Sequence, residues 1–98
     1  MLHIVNRSPY QSRSIEQCLN QLQPNDALLL IEDAVYAALK NSRWQSSLAA
    51  SSAKLYVLKS DLMARGLTDK PLSETIKQVD YSGFVELTEN HTPIHSWS

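Results

Sequence analysis

The sequence predicts an α/β domain: one unit over residues 1–98, built on a mostly parallel sheet of four to five strands flanked by helices. Three observations lead there. Short apolar runs of strand type alternate with helical patterns along the chain. One run, Ala27-Leu28-Leu29-Leu30-Ile31, is apolar at every position, as expected of a strand covered on both faces. Each crossover between parallel strands needs a connection that can hold a helix, and the alternation supplies one. A chain of 98 residues suits one such domain and no more.

The elements follow in order. Leu2 to Val5 is short and partly β-branched, bounded by Arg7-Ser8-Pro9, and reads as the first strand. Ser14 with Gln17 matches a capping box, and Ile15, Cys18, Leu19 and Leu22 share one helical face, so a helix is expected from about 14 to 23. Pro24-Asn25-Asp26 breaks it, and the second strand, Ala27 to Ile31, takes the centre of the sheet. Glu32-Asp33 closes that strand, with Asp33 as the expected cap of a helix through Ala34-Val35-Tyr36-Ala37-Ala38-Leu39. Residues 41–52, rich in Ser and Ala with Trp44 and Leu48 as large anchors, read as a loop with room for a short helix.

Lys54 to Leu58 is the third strand. Ser60 is the expected cap of a two-turn helix through Arg65, ended by Gly66. A polar stretch from Leu67 to Thr75 precedes a fourth strand, Ile76 to Val79, and Asp80 is placed to cap a helix presenting Tyr81, Phe84, Val85 and Thr88 and ending near Asn90. Pro93 halts that helix, leaving His91 to Ser98 extended and available as a final strand, attached through Ile94 and Trp97. Such a sheet must hide two faces and two edges with few, short helices, so apolar surface is expected to remain for a neighbour.

Composition excludes several classes. Hydrophobic residues make up 43% and charged residues 19%, enough apolar content for a core and too little charge for a disordered tail. Nine Lys plus Arg against ten Asp plus Glu give a net charge of −1, so no bulk positive field draws nucleic acid or anionic lipid. No stretch approaches the roughly 18–20 apolar residues of a membrane span, and the N-terminus has too few apolar residues for a signal peptide, so a cytoplasmic location is expected. With one Cys there is no intramolecular disulfide. The only glycines are Gly66 and Gly83, too few for a phosphate-cradling loop, so neither a nucleotide site nor a cofactor is expected.

Candidate chemistry is sparse, and each candidate has a plain alternative. Cys18 is the one strong nucleophile and could carry sulfur as a persulfide if a helix start or a cation lowered its pKa; it also lies on the apolar stripe with Ile15, Leu19 and Leu22, where a buried thiol is inert. His3, His91 and His95 would have to gather with further ligands to hold a metal, and Pro93 separates the last two from a shared helical face. Glu32-Asp33 sits at the carboxyl end of a central strand, where open α/β sheets hold ligands, yet a cap and a solvated charge explain the pair. Asp61 and Arg65 oppose the dipole at the two ends of their short helix. Trp44, Tyr56, Phe84 and Trp97 read as core or interface residues, with Tyr36 and Trp97 as the expected interface anchors.

Leu2-His3 with Arg7-Ser8-Pro9, Glu32-Asp33 with Tyr36-Ala37-Ala38, Tyr56-Val57-Leu58 with Asp61-Leu62 and Ala64-Arg65-Gly66, and Asp80-Tyr81 with Gly83-Phe84-Val85 and Leu87-Thr88 together resemble the TusB/DsrH family. The likeness spans the whole chain and ends with Trp97, near the C-terminus where that family also carries a tryptophan. It implies a DsrE/F/H-like fold and the smallest of three homologous subunits, assembled with TusC-like and TusD-like companions as a dimer of heterotrimers. It further implies a relay that passes persulfide sulfur from a cysteine of the D subunit to a TusE-like acceptor, and onward to the 2-thio group of the tRNA wobble uridine. In that relay this chain is a non-catalytic or auxiliary subunit of a sulfurtransferase complex, with no cofactor, no membrane and no direct nucleic-acid contact.

The related Dsr version serves sulfur oxidation and carries on its H subunit a cysteine that matches Cys18. The resemblance therefore leaves two alternatives open: a DsrH-like subunit of a DsrEFH complex, or a stand-alone thiol carrier using Cys18.

Overall fold

In the computed structural model, which describes residues 1–98, the strands Leu2–Val5 (β1), Ala27–Leu30 (β2), Lys54–Leu58 (β3), Ile76–Val79 (β4) and Ile94–Trp97 (β5) form one sheet of order β4-β3-β2-β1-β5. Every neighbouring pair is parallel, with Leu2 opposite Ala27 and Ile94, Ala27 opposite Lys54, and Leu55 opposite Ile76. Between the strands lie α1 (Ser14–Leu19), a 3-10 helix (Glu32–Ala38), α2 (Gln45–Ala50), α3 (Lys59–Ala64) and α4 (Tyr81–Asn90). The expected α/β class and parallel sheet stand, and the C-terminal tail supplies the fifth strand.

Strand order decides how the faces are covered. The steps from β1 to β2, β3 and β4 all advance in one direction, so right-handed crossovers put their helices on the same face. The last step runs back across the sheet to β5, and its helix α4 falls on the other face. On the first face a 16-residue core joins Val5, Leu28, Leu30, Val57 and Ile76 to Ile15, Cys18, Val35, Trp44, Leu48 and Leu62 from the helices. On the second, only Leu2, Ala27, Leu29 and Leu87 form a closed cluster, with Ile4, Ile31, Tyr56, Val79 and Phe84 half-buried around it. The two-sided burial of β2, read from its unbroken apolar run, is observed: all four residues are at most 1% exposed.

Several local expectations are corrected. The helix after β2 is a 3-10 helix, and Asp33 does not cap it; Ile31 holds the cap position in extended backbone without a side-chain hydrogen bond. At three residues per turn, Ala34 stacks on Ala37 and Val35 on Ala38, and all four are buried, so three alanines let this backbone lie close to the sheet. The capping box also fails. Arg13 precedes α1 without a side-chain cap, while the Ser14 hydroxyl is spent on the Ser12 hydroxyl at 2.8 Å, and the helix ends at Leu19 rather than near 23. Ser60 lies inside α3, which starts at Lys59 directly after β3 with Leu58 as an uncapping neighbour. The stretch 41–52, expected as a loop with room for a short helix, contains α2, held by the buried Trp44 and Leu48.

Two expected terminators are present. Gly66 ends α3 at φ +68°, a conformation that only glycine adopts readily. Asp80 caps α4 by accepting the Gly83 N–H at 2.8 Å. Since α4 alone covers the second face, this cap is a test of that layer: Asp80→Ala should lower stability by about 1 kcal/mol in denaturant unfolding. An unchanged midpoint would show that α4 docks without its cap.

Candidate functional site

Cys18 lies at the amino ends of the strands, beside a hydrogen-bonded group drawn from three parts of the chain. α1 places the thiol against the first face of the sheet with no exposed surface. Burial pushes its pKa up to about 12, and the nearby negative charge of Asp26 acts in the same direction. Both influences oppose the thiolate that nucleophilic or persulfide chemistry requires.

The group around Asp26 accounts for the second of these. Asp26 immediately precedes β2, and its carboxylate accepts the Gln23 backbone N–H at 3.0 Å, contacts His3 Nε2 at 2.9 Å and pairs with the Met1 ammonium at 3.2 Å. Partial burial raises the pKa of Asp26, but the three donors and the ammonium charge outweigh it and hold the carboxyl below its ordinary range. His3, 2% exposed on β1, has Trp97 Nε1 at 3.1 Å from its Nδ1. An indole N–H only donates, so Nδ1 is the acceptor and Nε2 carries the proton that His3 gives to Asp26. Both ring nitrogens are therefore spent, and His3 has no lone pair to take a proton from Cys18. The residues that a thiol enzyme would arrange as Cys, His and Asp are gathered here, but connected as a support for β5.

Trp97, an expected interface anchor, faces this group on the helix-covered side of the sheet. It is half-buried, stacked on His95 at 4.3 Å and bonded to His3. Tyr36 is half-buried in the 3-10 helix against the main core. A cleft of about 530 Å³ opens between Met1, Gln21, Gln23, His95 and Trp97, with His3 and Asp26 at its floor. His91 is not part of it, and no group of three or more His, Cys, Asp and Glu is placed to hold a metal ion.

A second group lies at the carboxyl ends of β2 and β3. Glu32 adopts φ 50°, a left-handed conformation that costs about 1 kcal/mol or more for a non-glycine residue, and its N–H donates to Asp61 Oδ2 at 2.6 Å. Arg65 Nε donates to Asp33 Oδ1 at 2.8 Å, while its Nη1 donates to the Asp61 carbonyl at 3.2 Å. Asp33, Asp61 and Arg65 thus act together as a clasp between the 3-10 helix and α3. Their separate readings as a cap and two dipole partners miss it, because nothing in the sequence pairs residues 32 positions apart.

The third feature is the second face of the sheet. Its rim exposes Tyr81 (73%), Ile94 (46%) and Val85 (37%) around the half-buried Ile4, Ile31, Tyr56 and Phe84. No helix of the chain is long and apolar enough to cross a membrane, so this surface is not part of a helical span.

Comparison with known proteins agrees with this architecture. Residues 7–94 match the family described as DsrH like protein. Protein TusB of Escherichia fergusonii is 41% identical over 97 residues, covering 99% of this chain and all of that protein. Protein TusB of Buchnera aphidicola is 36% identical over the same length and coverage. The crystal structure of the ychN protein from E. coli superposes with a TM-score of 0.81 at 22% identity, covering 97% of each chain, which shows the shared fold. A protein of unknown function from Methanobacterium thermoautotrophicum has the same fold, with a TM-score of 0.69 at 11% identity over 97% of this chain.

Proposed function

Because the chain belongs to the DsrH-like family, we propose that it is a supporting subunit of a TusBCD-like sulfur-relay complex that serves 2-thiolation of the tRNA wobble uridine. The observation that carries this reading is the half-covered second face. A parallel sheet normally hides both faces, yet here α4 is the only cover, and a rim of Tyr81, Val85 and Ile94 is left in water. Homologous TusC-like and TusD-like subunits are the natural cover, and the complex they form is a dimer of heterotrimers. Within it this chain contributes surface rather than chemistry: the Cys18 thiol is buried and both His3 nitrogens are engaged. Persulfide then passes from a cysteine of the D-like subunit to a TusE-like acceptor, with Cys18 as a packing residue of the neighbouring chain.

Native mass spectrometry of the chain co-expressed with its two companions tests the assembly. The expected species contains two copies of each subunit. Val85→Glu with Ile94→Glu, which puts two carboxylates on the exposed rim, should release this chain from the complex while its own fold persists. A chain that stays monomeric beside both companions in mild salt overturns the reading. Co-purification unaffected by the double variant moves the interface to another surface.

A further inference from the structure

Lys40 and Lys70 share one cleft, neither of them in an ion pair, and Arg43 lines the neighbouring groove. Lys40 and Arg43 lie in the loop after the 3-10 helix, and Lys70 lies in the loop after α3. The two loops are stitched together: Lys40 N–H donates to the Pro71 carbonyl at 2.9 Å, Ser73 N–H donates to the Ala38 carbonyl at 2.8 Å, and Leu39 pairs with Leu72 in an antiparallel bridge. That stitching sets Lys40 and Lys70 on a single cleft of about 210 Å³, shared with Tyr10, Asn41 and Ser42. All ion pairs of the chain use Met1, His3, Arg13 or Arg65 as the cation, so Lys40, Arg43 and Lys70 have no acidic partner. Asp69 adjoins Lys70 in sequence, and Glu16 lines the neighbouring groove with Arg43, but Glu16 is engaged by Arg13. Convergent like charge without a countercharge favours an anion, and here it arises in a chain of net charge −1.

The cleft also offers a ring. Tyr10 is 65% exposed, and its side chain is anchored edge-on to Trp44, with ring centroids 5.1 Å apart at 80°. Trp44 is itself 5% exposed, and the Arg43 guanidinium stands 5.3 Å from its ring centroid. Tyr10 is thus steadied by a buried ring while its own surface stays open. The Ser42 hydroxyl donates to the Ala37 carbonyl at 2.8 Å, which leaves its oxygen lone pairs to accept, and the Asn41 amide can both donate and accept. An aromatic platform, two ammonium groups and neutral hydrogen-bonding groups in one small cleft are what a nucleotide requires: a surface for the base and cations for the phosphate.

We propose that the cleft between Tyr10, Lys40 and Lys70 binds a nucleotide unit, presented either free or within single-stranded RNA. The base packs on Tyr10 and the phosphate lies between the lysines. The sequence hides this site because its residues sit at positions 10, 40–42 and 70, while the net charge and the lack of a glycine-rich loop argue against nucleotide or nucleic-acid contact. The proposal does not depend on the subunit role, since the cleft lies on different residues from the exposed rim of the second face.

Fluorescence anisotropy with a short labelled oligouridylate tests it, using the full chain alone and in complex with its companions, at low and at physiological salt. Binding should weaken steeply with added salt. The double variant Lys40→Gln/Lys70→Gln should lose at least about tenfold in affinity, because two phosphate contacts disappear. Tyr10→Ala should lose about tenfold through the lost stacking surface. Native mass spectrometry of the same variants should still show the wild-type assembly, which separates failure of this site from failure of the complex. Displacement of the RNA by free UMP assigns the site to single nucleotides, and displacement only by unlabelled RNA assigns it to the strand; both support the proposal. No binding at low salt, equal affinity in the double variant, or tighter binding of an oligoglutamate peptide than of the RNA overturns it.

Discussion

Iodoacetamide at about pH 8 should leave Cys18 unmodified in the folded chain and alkylate it fully once urea unfolds the protein, with initial rates differing by about a thousandfold. The thiolate is the reacting species. A thiol whose pKa is pushed up to about 12 is almost entirely protonated at this pH, and with no exposed surface it also denies access to the reagent. A persulfide donor should likewise add no sulfur mass to the folded chain. Uptake at the rate of a free cysteine would instead make Cys18 a carrier and replace the packing role proposed above.

The same shift sets a direction for alkaline stability. Between the ordinary thiol range and about pH 12, the folded state keeps a proton that the unfolded state has lost. Stability contributed by the neutral thiol is therefore fully present below that range and declines as pH rises through it. Cys18→Val, which keeps the side chain apolar and of similar size, should remove this part of the alkaline slope in urea unfolding. An unchanged slope would place the alkaline loss on other groups.

Asp26→Ala should destabilise the chain by about 2–4 kcal/mol, among the larger effects available from a single polar residue. The carboxylate serves the Gln23 N–H, the His3 ring and the Met1 ammonium together, and removing it leaves three donors around the amino ends of β1 and β2 without an acceptor. His3 is 2% exposed, so water cannot readily replace the lost partner. The damage should reach β5, because the tautomer that accepts from Trp97 is the one that donates to Asp26. Intrinsic Trp fluorescence and hydrogen exchange at 94–97 report that coupling.

The acid limb carries the sign. Asp26 has a depressed folded pKa, so its contribution is present above the unfolded carboxyl pKa and is lost as pH falls through the lower folded value. Asp26→Asn should flatten stability against pH in that acid range. Because the Asp26 charge raises the Cys18 pKa, the same variant should also quicken alkylation of Cys18 at alkaline pH. Equal acid unfolding in wild type and Asp26→Asn would remove Asp26 from this role.

Much of the fold was legible because it rests on local patterns. The apolar runs within 2–5, 27–30 and 54–58 and the short segment 76–79 are strands, Gly66 and Asp80 terminate and cap where their chemistry predicts, and the alternation of elements supplies the parallel crossovers. Local signals misled where a side chain had another partner for its hydrogen bond: Asp33 bonds the distant Arg65 instead of a helix start, and Ser14 bonds Ser12 two residues before it. Tight packing of Ala34, Ala37 and Ala38 against the sheet selects a 3-10 helix where the residue pattern reads simply as helical.

Hydrophobic period and residue type act over a few neighbours, and they suffice for the α/β class, the central place of β2, the family resemblance and the apolar site of Cys18. Which face stays open follows from the assembled sheet, because the direction of each crossover depends on strand order. The tertiary structure also joins His3, Asp26 and Trp97 in one buried chain of hydrogen bonds, and brings Lys40, Lys70 and Tyr10 to a shared cleft. These contacts join residues 23 to 94 positions apart in the first group, and separate loops in the second. Their partners are fixed by how the sheet stacks its strands, and no local period in the chain encodes that.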